Sequence, residues 1–332
     1  MRVLITGAAG FIGSELAMRL LARGDEVIGV DNFNDYYQTS LKYDRRDRWL
    51  AAGGERAKCL ALDFSDHVAL EQALNGEHFD RIVHLGAQAG VRYSIENPRA
   101  YAQSNLVGHL NMLEIARHRR LDHMVYASSS SVYGGNDKLP FAVEDRVDHP
   151  LSLYAATKKA DELMSETYAH LYRLPLTGLR FFTVYGPWGR PDMMMWIFTR
   201  KILAGEPIPV FNHGEMFRDF TFIDDIVTGV VASLDNPPAD NGEAKAGGSI
   251  KPHALYNIGN HRSEHLMKVI GLLEDACGRK ADIDMQPMQK GDVERTFADI
   301  DAIHNDLGYE PTTSIEAGVP AFVDWYREYH KI

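Results

Sequence analysis

Cysteine is scarce in this sequence: Cys59 and Cys277 are the only two among 332 residues. Neither stands in a C-x-x-C spacing, so the pattern provides no disulfide framework and no paired-thiol metal or redox site. A chain of this length with 45% hydrophobic residues can bury a full core without cross-links. We therefore expect one large domain or two closely joined ones, folded in a reducing compartment, the cytoplasm.

Long apolar runs and an excess of positive charge are also missing. No stretch reaches the ~18 consecutive apolar residues that a membrane helix needs, and the first residues, MRVLITGAAGFIG, lack the basic start of a secretory signal. The formal net charge of −11 argues against a general nucleic-acid surface. We expect neither a membrane nor a nucleic-acid partner, and basic residues near a motif become candidates for binding local anionic groups.

Short apolar runs recur through the first half of the chain and are typical of buried parallel strands. They cover residues 2–5, 26–30, 58–62, 81–85, 123–127 and 177–181. Segments with apolar residues at helical spacing lie between them. This alternation predicts an α/β fold, a Rossmann-type doubly wound parallel sheet with helices on both faces.

The alternation becomes irregular after about Phe182, where prolines, aromatic residues and methionines interrupt it. The change predicts a Rossmann domain over residues 1–182, to which the chain returns around 222–260. A smaller mixed α/β domain, mainly for substrate binding, is predicted over 183–332. The stretch 236–253, rich in Pro, Gly, Asn and Ala, predicts an exposed loop.

A glycine-rich segment, Thr6-Gly7-Ala8-Ala9-Gly10-Phe11-Ile12-Gly13, follows the first predicted strand and begins the first predicted helix. Glycine permits both a tight turn and the close approach of backbone amides to a pyrophosphate. The triplet alone also fits an ordinary strand-to-helix turn, but Asp31 ends the second strand, as in dinucleotide-binding folds. Asp31 can accept hydrogen bonds from the adenine ribose, and its charge would repel a 2′-phosphate. These residues predict an NAD site.

The end of the third predicted strand carries Asp63 and Phe64. This position predicts a contact with the edge of the adenine. For Asp63, a helix N-cap is an almost equally good interpretation.

A second group of polar residues predicts the chemistry. Ser128 to Ser131 follow the fifth strand, and Tyr154 and Lys158, four residues apart, share one face of a helix. A phenol in water has a pKa of ~10, and a neighbouring ammonium favours the phenolate. The pair can therefore remove a hydroxyl proton during hydride transfer. With 15 tyrosines, Tyr-x-x-x-Lys alone also arises by chance. The pair indicates a catalytic site because it follows a dinucleotide turn and a serine run.

The glycine turn, the serine run, Val132-Tyr133-Gly134 and Tyr-x-x-x-Lys together resemble the extended short-chain dehydrogenase/reductase family. The resemblance implies that Ser129 hydrogen-bonds the reacting hydroxyl, and that Asn32, Leu85 and Ala87 contact NAD. Ser130 and Ser131 stand where related dehydratases and decarboxylases carry Asp or Glu. Without such an acid, the site can oxidise an alcohol and reduce the ketone again, but has no evident group for elimination.

Two further segments, 87–94 and 180–192, resemble the bacterial UDP-glucuronate 4-epimerases of that family. They include Arg92, Ser94, Thr183 and Arg190 as candidate substrate-binding residues. Arg190 can hold a carboxylate through two parallel hydrogen bonds, and Thr183 adds a small hydroxyl donor. The alternative is that Arg190 caps a turn or pairs with Asp192.

The same resemblance assigns residues to the nucleotide of the substrate. Pro209 and Phe211 match uracil contacts, Arg218 a diphosphate contact and Asp292 a ribose contact, while Asn105 matches an asparagine near the substrate. For Phe211 a core position, and for Arg218 an exposed ion pair, are the ordinary alternatives. His261 and His265 share helical spacing without a supporting acidic cluster, so we expect no metal site.

These features predict an enzyme that oxidises C4 of UDP-glucuronate with tightly bound NAD and returns the hydride to the opposite face, giving UDP-galacturonate. The alternatives among enzymes are a UDP-glucose or UDP-N-acetylglucosamine 4-epimerase and a UDP-glucuronate decarboxylase. Outside enzymes, the alternative is a non-catalytic NAD-binding regulator. The resemblance also implies a homodimer in which helices 100–119 and 154–172 contact the partner's copies.

Overall fold

The computed structural model describes residues 1–289 and 291–332. Its strands are β1 (Arg2–Thr6), β2 (Glu26–Asp31), β3 (Ala57–Ala61), β4 (Arg81–His84), β5 (His123–Ser129), β6 (Leu176–Phe181), β7 (Thr183–Tyr185), β8 (Ile208–Val210), β9 (Phe217–Phe222), β10 (His253–Ile258), β11 (Ser263–His265) and β12 (Ile283–Met285).

The α-helices alternate with these strands. They are α1 (Phe11–Arg23), α2 (Thr39–Gly53), α3 (His67–Ala73), α4 (Tyr93–Glu96), α5 (Pro98–Tyr101), α6 (Gly108–Arg119), α7 (Leu153–Tyr172), α8 (Met194–Ala204), α9 (Ile223–Asp235), α10 (Leu266–Cys277), α11 (Asp301–Leu307) and α12 (Ile315–His330). A π-helical stretch, Ala102–Val107, joins α5 to α6, and short 3-10 turns cover Gly54–Arg56, Ser130–Tyr133 and Phe211–Gly214.

Seven parallel strands form the large sheet, in the order β10-β6-β5-β4-β1-β2-β3. The chain winds outward from β1 to β3, returns to β4 beside β1, and then winds the other way. The predicted Rossmann-type doubly wound sheet is confirmed, and the six predicted strands correspond to β1 to β6. The order of strands reverses between β1 and β4, which is where such sheets bind ligands at their carboxyl ends.

Burial on both faces explains why these strands read as continuous apolar runs. Val3, Leu4 and Ile5 of β1 are all fully buried. Val3 and Ile5 pack into the hydrophobic cluster on one face of the sheet, and Leu4 packs into the cluster on the other. Because successive side chains of a strand point to opposite faces, both faces must be covered by helices.

Two small sheets lie beyond the large one. The order β11-β9-β7 combines a parallel and an antiparallel pair, and β12 pairs with β8 in parallel. Between β9 and β11, α9 packs on α1 and β10 pairs with β6, so these two elements return to the large sheet. No helix or strand lies between Asp235 and His253 in this described stretch, where a loop is predicted. Within the described ranges, no helix is long and apolar enough to span a membrane.

Candidate active site

A cleft of about 870 Å³ opens at the carboxyl ends of the parallel strands. Its wall is shared by the large sheet and the small sheets. The predicted residues that line it are Gly7, Gly10, Phe11, Ile12, Gly13, Asp31, Asn32, Phe64, Leu85, Ala87, Arg92, Ser129, Tyr154, Lys158, Thr183, Arg190, Pro209, Phe211, Arg218 and Asp292. Residues from the whole length of the chain thus meet in one cavity.

The glycine turn forms the floor at one end of the cleft. Gly7 has φ +69°, and a Cβ at Gly13 would lie 2.1 Å from the Gly7 carbonyl oxygen, so neither position accepts a larger side chain without a shift of the backbone. Gly7 also donates its N–H to the Val30 carbonyl at 2.8 Å. The backbone is therefore held close to β2, with α1 beginning directly behind it, a geometry that fits the pyrophosphate of a dinucleotide.

Asp31 ties this turn to the loop that follows β2. Its carboxylate accepts hydrogen bonds from the Ala9 N–H at 3.0 Å and from the Phe33 N–H at 2.9 Å. Burial raises the pKa of Asp31, while these backbone donors and the nearby Lys42 ammonium act in the opposite direction. The side chain both shapes the turn and faces the cleft.

The loop after β7 covers the glycine turn through contacts that the residue patterns did not predict. Arg45 of α2 is fully buried and donates to the carbonyls of Trp188, at 3.1 Å from Nε, and of Gly189, at 2.8 Å from Nη2. Tyr36 donates its hydroxyl to Asp192 at 3.2 Å. The polar and aromatic residues that follow Asp31 indicate that this loop takes part in contacts at the cleft. The helix α2 has only a weak apolar face, so its sequence does not show that Arg45 is buried.

Ser129, Tyr154 and Lys158 face the middle of the cleft. Ser129 ends β5, and its Oγ accepts a hydrogen bond from the Ser131 N–H at 3.2 Å. Tyr154 lies in the first turn of α7, and Lys158, one turn on, donates from Nζ to the Ala127 carbonyl at 2.8 Å. The Tyr154 ring packs edge-on against Tyr101 at 6.0 Å between centroids. The end of β5 and the start of α7 therefore bring the three together.

A buried ion pair supports α7 from below the cleft. Glu162 accepts from Arg180 Nε at 2.8 Å and Nη2 at 3.0 Å, and from the Ser128 hydroxyl at 2.7 Å. Burial opposes the charge of Glu162, but the Arg180 guanidinium holds the pKa of that carboxyl below its ordinary value. Ser128 is therefore engaged with Glu162, while the Ser129 hydroxyl donates to the Ser131 hydroxyl at 3.1 Å in the cleft wall.

Arg190 is paired with Asp192, which is the alternative that the sequence left open. The carboxylate accepts from Nε at 3.0 Å and from Nη2 at 2.5 Å. Burial by itself would lower the pKa of Arg190, but the Asp192 carboxylate raises it above its ordinary value. The pair lies within the cleft wall, so the guanidinium remains part of the site.

The far end of the cleft carries the predicted nucleotide contacts. The Arg92 guanidinium lies 5.1 Å from the centre of the Phe211 ring, and Arg218 Nη2 is 2.8 Å from Asp292 Oδ1. Burial lowers the pKa of Arg218, and Asp292 partly offsets this effect. Phe211 is thus a cleft residue and Arg218 a half-buried ion pair at the same end.

Asn105 does not line the cleft, in contrast to its predicted place near the substrate. Its side chain is 1% exposed and fully engaged: Oδ1 accepts from the Gln88 N–H at 2.8 Å, and Nδ2 donates to the Thr157 hydroxyl at 2.9 Å. Asn105 therefore ties the loop after β4 to α7 behind the cleft.

Asp63 and Ser94 also lie outside the cleft wall. The Asp63 carboxylate accepts from the Ser65 N–H at 2.8 Å, a local turn, and the N-cap of α3 is Asp66 instead. Ser94 is 2% exposed and donates to the Val91 carbonyl at 2.5 Å. Asp63 also accepts from Asn32 Nδ2 at 3.0 Å and so contacts a residue of the cleft wall, whereas Ser94 bonds within its own turn.

No group of three or more His, Cys, Asp and Glu side chains suited to a metal ion occurs among residues 1–289 and 291–332. The side chains that face the cleft include hydroxyl, guanidinium and ammonium donors together with the carboxylates of Asp31, Asp192 and Asp292, the last two paired with Arg190 and Arg218. This arrangement suits an anionic ligand beside a dinucleotide.

Comparison with known proteins gives consistent matches. Residues 4–322 match the family model described as GDP-mannose 4,6 dehydratase. The chain is 49% identical to Protein CapI of Staphylococcus aureus over 336 residues, with 100% of both chains covered. It is 46% identical to a probable UDP-glucuronate 4-epimerase of Rhizobium meliloti (strain 1021), over 100% of this chain and 98% of that one. The solved structure of a Bacillus cereus UDP-glucuronic acid 4-epimerase with UDP-glucuronic acid and NAD has a TM-score of 0.86 and 31% identity, covering 99% of this chain and 100% of that one.

Proposed function

We propose that this chain, which belongs to the GDP-mannose 4,6-dehydratase family of extended short-chain dehydrogenases/reductases, is an NAD-dependent UDP-glucuronate 4-epimerase. One observation carries the proposal: a Ser-Tyr-Lys group and an arginine guanidinium share one cleft with a dinucleotide-type glycine turn. The Rhizobium and Bacillus relatives carry this activity in their names.

In this proposal, Tyr154 takes the proton of the C4 hydroxyl while Ser129 orients that hydroxyl by a hydrogen bond. Bound NAD supplies the acceptor for the C4 hydride and later its source. Lys158 holds a positive charge below the tyrosine and favours the phenolate. Once the 4-keto sugar has presented its other face, Tyr154 returns the proton to O4, giving UDP-galacturonate.

The uronic acid needs additional restraint, because a C4 ketone makes it a β-keto acid that loses carbon dioxide readily. Asp192 engages Nε and Nη2 of Arg190, and a guanidinium has five N–H donors. Nη1 is therefore the donor that we assign to the substrate carboxylate, assisted by the Thr183 hydroxyl. Ser130 and Ser131 provide no carboxylic acid to protonate an enolate, so decarboxylation is disfavoured.

We further propose that the cofactor is NAD rather than NADP, because the buried Asp31 carboxylate ends β2, where such folds bind the adenine ribose, and its charge would repel a 2′-phosphate. Residues 1–182 with the return around 222–260 would hold this cofactor, and residues 183–332 would mainly hold the UDP-sugar. Exposed apolar side chains on α6 and α7 support a homodimer through these helices.

The experiment that tests the function incubates the purified protein with UDP-glucuronate, UDP-glucose, UDP-N-acetylglucosamine and UDP-galacturonate separately, and resolves the products. We expect interconversion of the two uronates to be fastest. Faster turnover of UDP-glucose, release of a UDP-pentose as the main product, or no turnover of any sugar would each contradict the proposal and favour one of the named alternatives.

A further inference from the structure

A buried carboxylate lies directly beneath Lys158. Asp161 Oδ2 accepts a hydrogen bond from Lys158 Nζ at 3.1 Å, and the two side chains are 1% and 3% exposed. With the Ala127 carbonyl at 2.8 Å, this fixes two of the three N–H donors of the ammonium. The third donor is left for the cleft that Lys158 lines.

Asp161 differs from its neighbour Glu162 in how its oxygens are used. Glu162 meets Arg180 with both oxygens and also binds Ser128, which makes it a structural ion pair. Asp161 Oδ1 has no hydrogen-bond partner within the part of the chain that the structure describes. A buried carboxylate with one unpaired oxygen costs stability, and Lys158 is the side chain that pairs with its other oxygen.

We infer that Asp161 is a positioning residue for the proposed reaction: its carboxylate keeps the buried Lys158 ammonium charged and aimed into the cleft. An ammonium removed from water favours its neutral form, and an adjacent anion reverses this preference. A neutral lysine would no longer stabilise the phenolate of Tyr154. The inference rests on the proposed roles of Tyr154 and Lys158, but not on which UDP-sugar is the substrate.

The other titratable groups packed around this pair do not change charge in the working range. Burial lowers the pKa of His84, on β4, to about 3 and lowers the pKa of His109, on α6, well below its ordinary value. Burial likewise raises the pKa of Tyr126, on β5, well above its ordinary value. Both imidazoles and this phenol therefore stay neutral near Lys158.

The remaining charges are those of α7 and its arginine partner. Glu162 stays ionised against Arg180. Burial raises the pKa of Asp161 to about 6, and the Lys158 ammonium opposes that rise. Asp161 is consequently the anion whose loss would change the charge felt by Lys158.

The test compares Asp161→Asn with wild type in kcat against pH. Asparagine keeps the shape and can still accept from Lys158, but it carries no charge. We expect the alkaline limb of the profile to move to lower pH by about 1 unit, with little change in KM, because the anion beside the Lys158 ammonium is gone. The matched control is Glu162→Gln, which should lower the unfolding temperature and leave the limb in place.

Two additional measurements keep the inference testable. Nuclear magnetic resonance of isotope-labelled lysine, assigned with Lys158→Arg, follows the lysine without substrate, and its titration midpoint should fall in Asp161→Asn. If Asp161→Asn does not fold, Asp161→Glu is measured instead. It keeps the negative charge and should retain the alkaline limb of the wild-type profile.

The outcomes separate this inference from the proposed function. An Asp161→Asn profile that is lower but not displaced, with an unchanged lysine midpoint, would make Asp161 purely structural and overturn the inference. If wild type turns over a different UDP-sugar, the same profiles are recorded on that sugar. If it turns over none, the proposed function fails, while the lysine titration still decides the role of Asp161.

Discussion

At the scale of single residues, Tyr154 is the group on which the chemistry depends. Tyr154→Phe removes the proton acceptor and keeps the ring that packs against Tyr101. We expect epimerisation to fall by about 10²- to 10⁴-fold, the range for a lost general base, while the protein still copurifies with NAD. Turnover within a factor of a few of wild type would contradict the assignment, and an intact NAD content shows that the cofactor site has survived.

Arg190 decides how the substrate carboxylate is held. Arg190→Ala should weaken binding of UDP-glucuronate by on the order of 1.5–3 kcal/mol, the range for a charged hydrogen bond, and affect UDP-glucose less. The fraction of UDP-pentose among the products should rise, because the carboxylate is free to align with the ketone. Steady-state kinetics and product chromatography measure both effects.

The Asp192 partner offers a control for that variant. Asp192→Asn removes the competing carboxylate but keeps the guanidinium in the cleft wall. The pair would be structural if Arg190→Ala bound UDP-glucuronate normally and formed no additional UDP-pentose, and if both variants were less stable than wild type.

Asp31 gives a prediction about the cofactor. Mass spectrometry of the nucleotide released from the purified protein should find NAD, because a 2′-phosphate would lie against a buried carboxylate that already accepts from Ala9 and Phe33. Recovery of NADP instead would show that neighbouring cations such as Lys42 outweigh this charge.

At the scale of elements, the parallel strands were predictable because burial on both faces produces an apolar run. β10 was harder to identify, since its partner β6 lies on the other side of a long excursion through the small sheets. Asn105 shows the same limit within a helix. The resemblance placed it near the substrate, but it could not show that the amide contacts Gln88 and Thr157.

The junction of the glycine turn with α1 yields an element-scale prediction. Gly13→Ala places a methyl group 2.1 Å from the Gly7 carbonyl oxygen, so the turn must open and NAD content should drop to a small fraction of wild type. Gly271→Ala is the matched control, since Gly271 also lies in a helix but a methyl group there would extend into open space. That substitution should stabilise the protein by about 0.5–1 kcal/mol and leave NAD content unchanged.

For both glycine variants, the NAD released from the purified protein gives the cofactor content, and thermal unfolding gives the stability. If Gly13→Ala retains NAD at wild-type stoichiometry, the turn is not the pyrophosphate site.

At the scale of the whole molecule, a continuous core joins the part that carries the glycine turn to the part that carries the nucleotide end of the cleft. Val3 and Leu20 of the first region belong to the same hydrophobic cluster as Ile208 and Phe322 of the second. Aromatic contacts such as Trp188 with Trp325, at 5.4 Å between centroids, attach the loop after β7 to the last helix. Such contacts between distant segments have no local signature, which is why the sequence predicted the Rossmann half more completely than the rest.

The exposed surface of α6 and α7 leads to a prediction about assembly. Leu110 on α6 and Leu163 on α7 are 40% and 58% exposed, and Tyr172 at the end of α7 is 45% exposed. Apolar side chains grouped on adjacent helices favour burial against a second copy, and a two-fold axis would pair each helix with its counterpart. Leu163→Glu would place two carboxylates in that interface, so we expect it to shift the protein from dimer to monomer in light scattering.

Val68→Glu is the control for this shift, because Val68 is 50% exposed but lies on α3 rather than on α6 or α7. It should leave the mass unchanged, and a glutamate in the first turn of a helix is electrostatically favourable. A wild-type monomer, or a Leu163→Glu protein that stays dimeric, would show that another surface or none mediates assembly. Activity of the monomeric variant then decides a further point: one chain supplies the glycine turn, Ser129, Tyr154, Lys158 and Arg190, so a folded monomer should retain turnover.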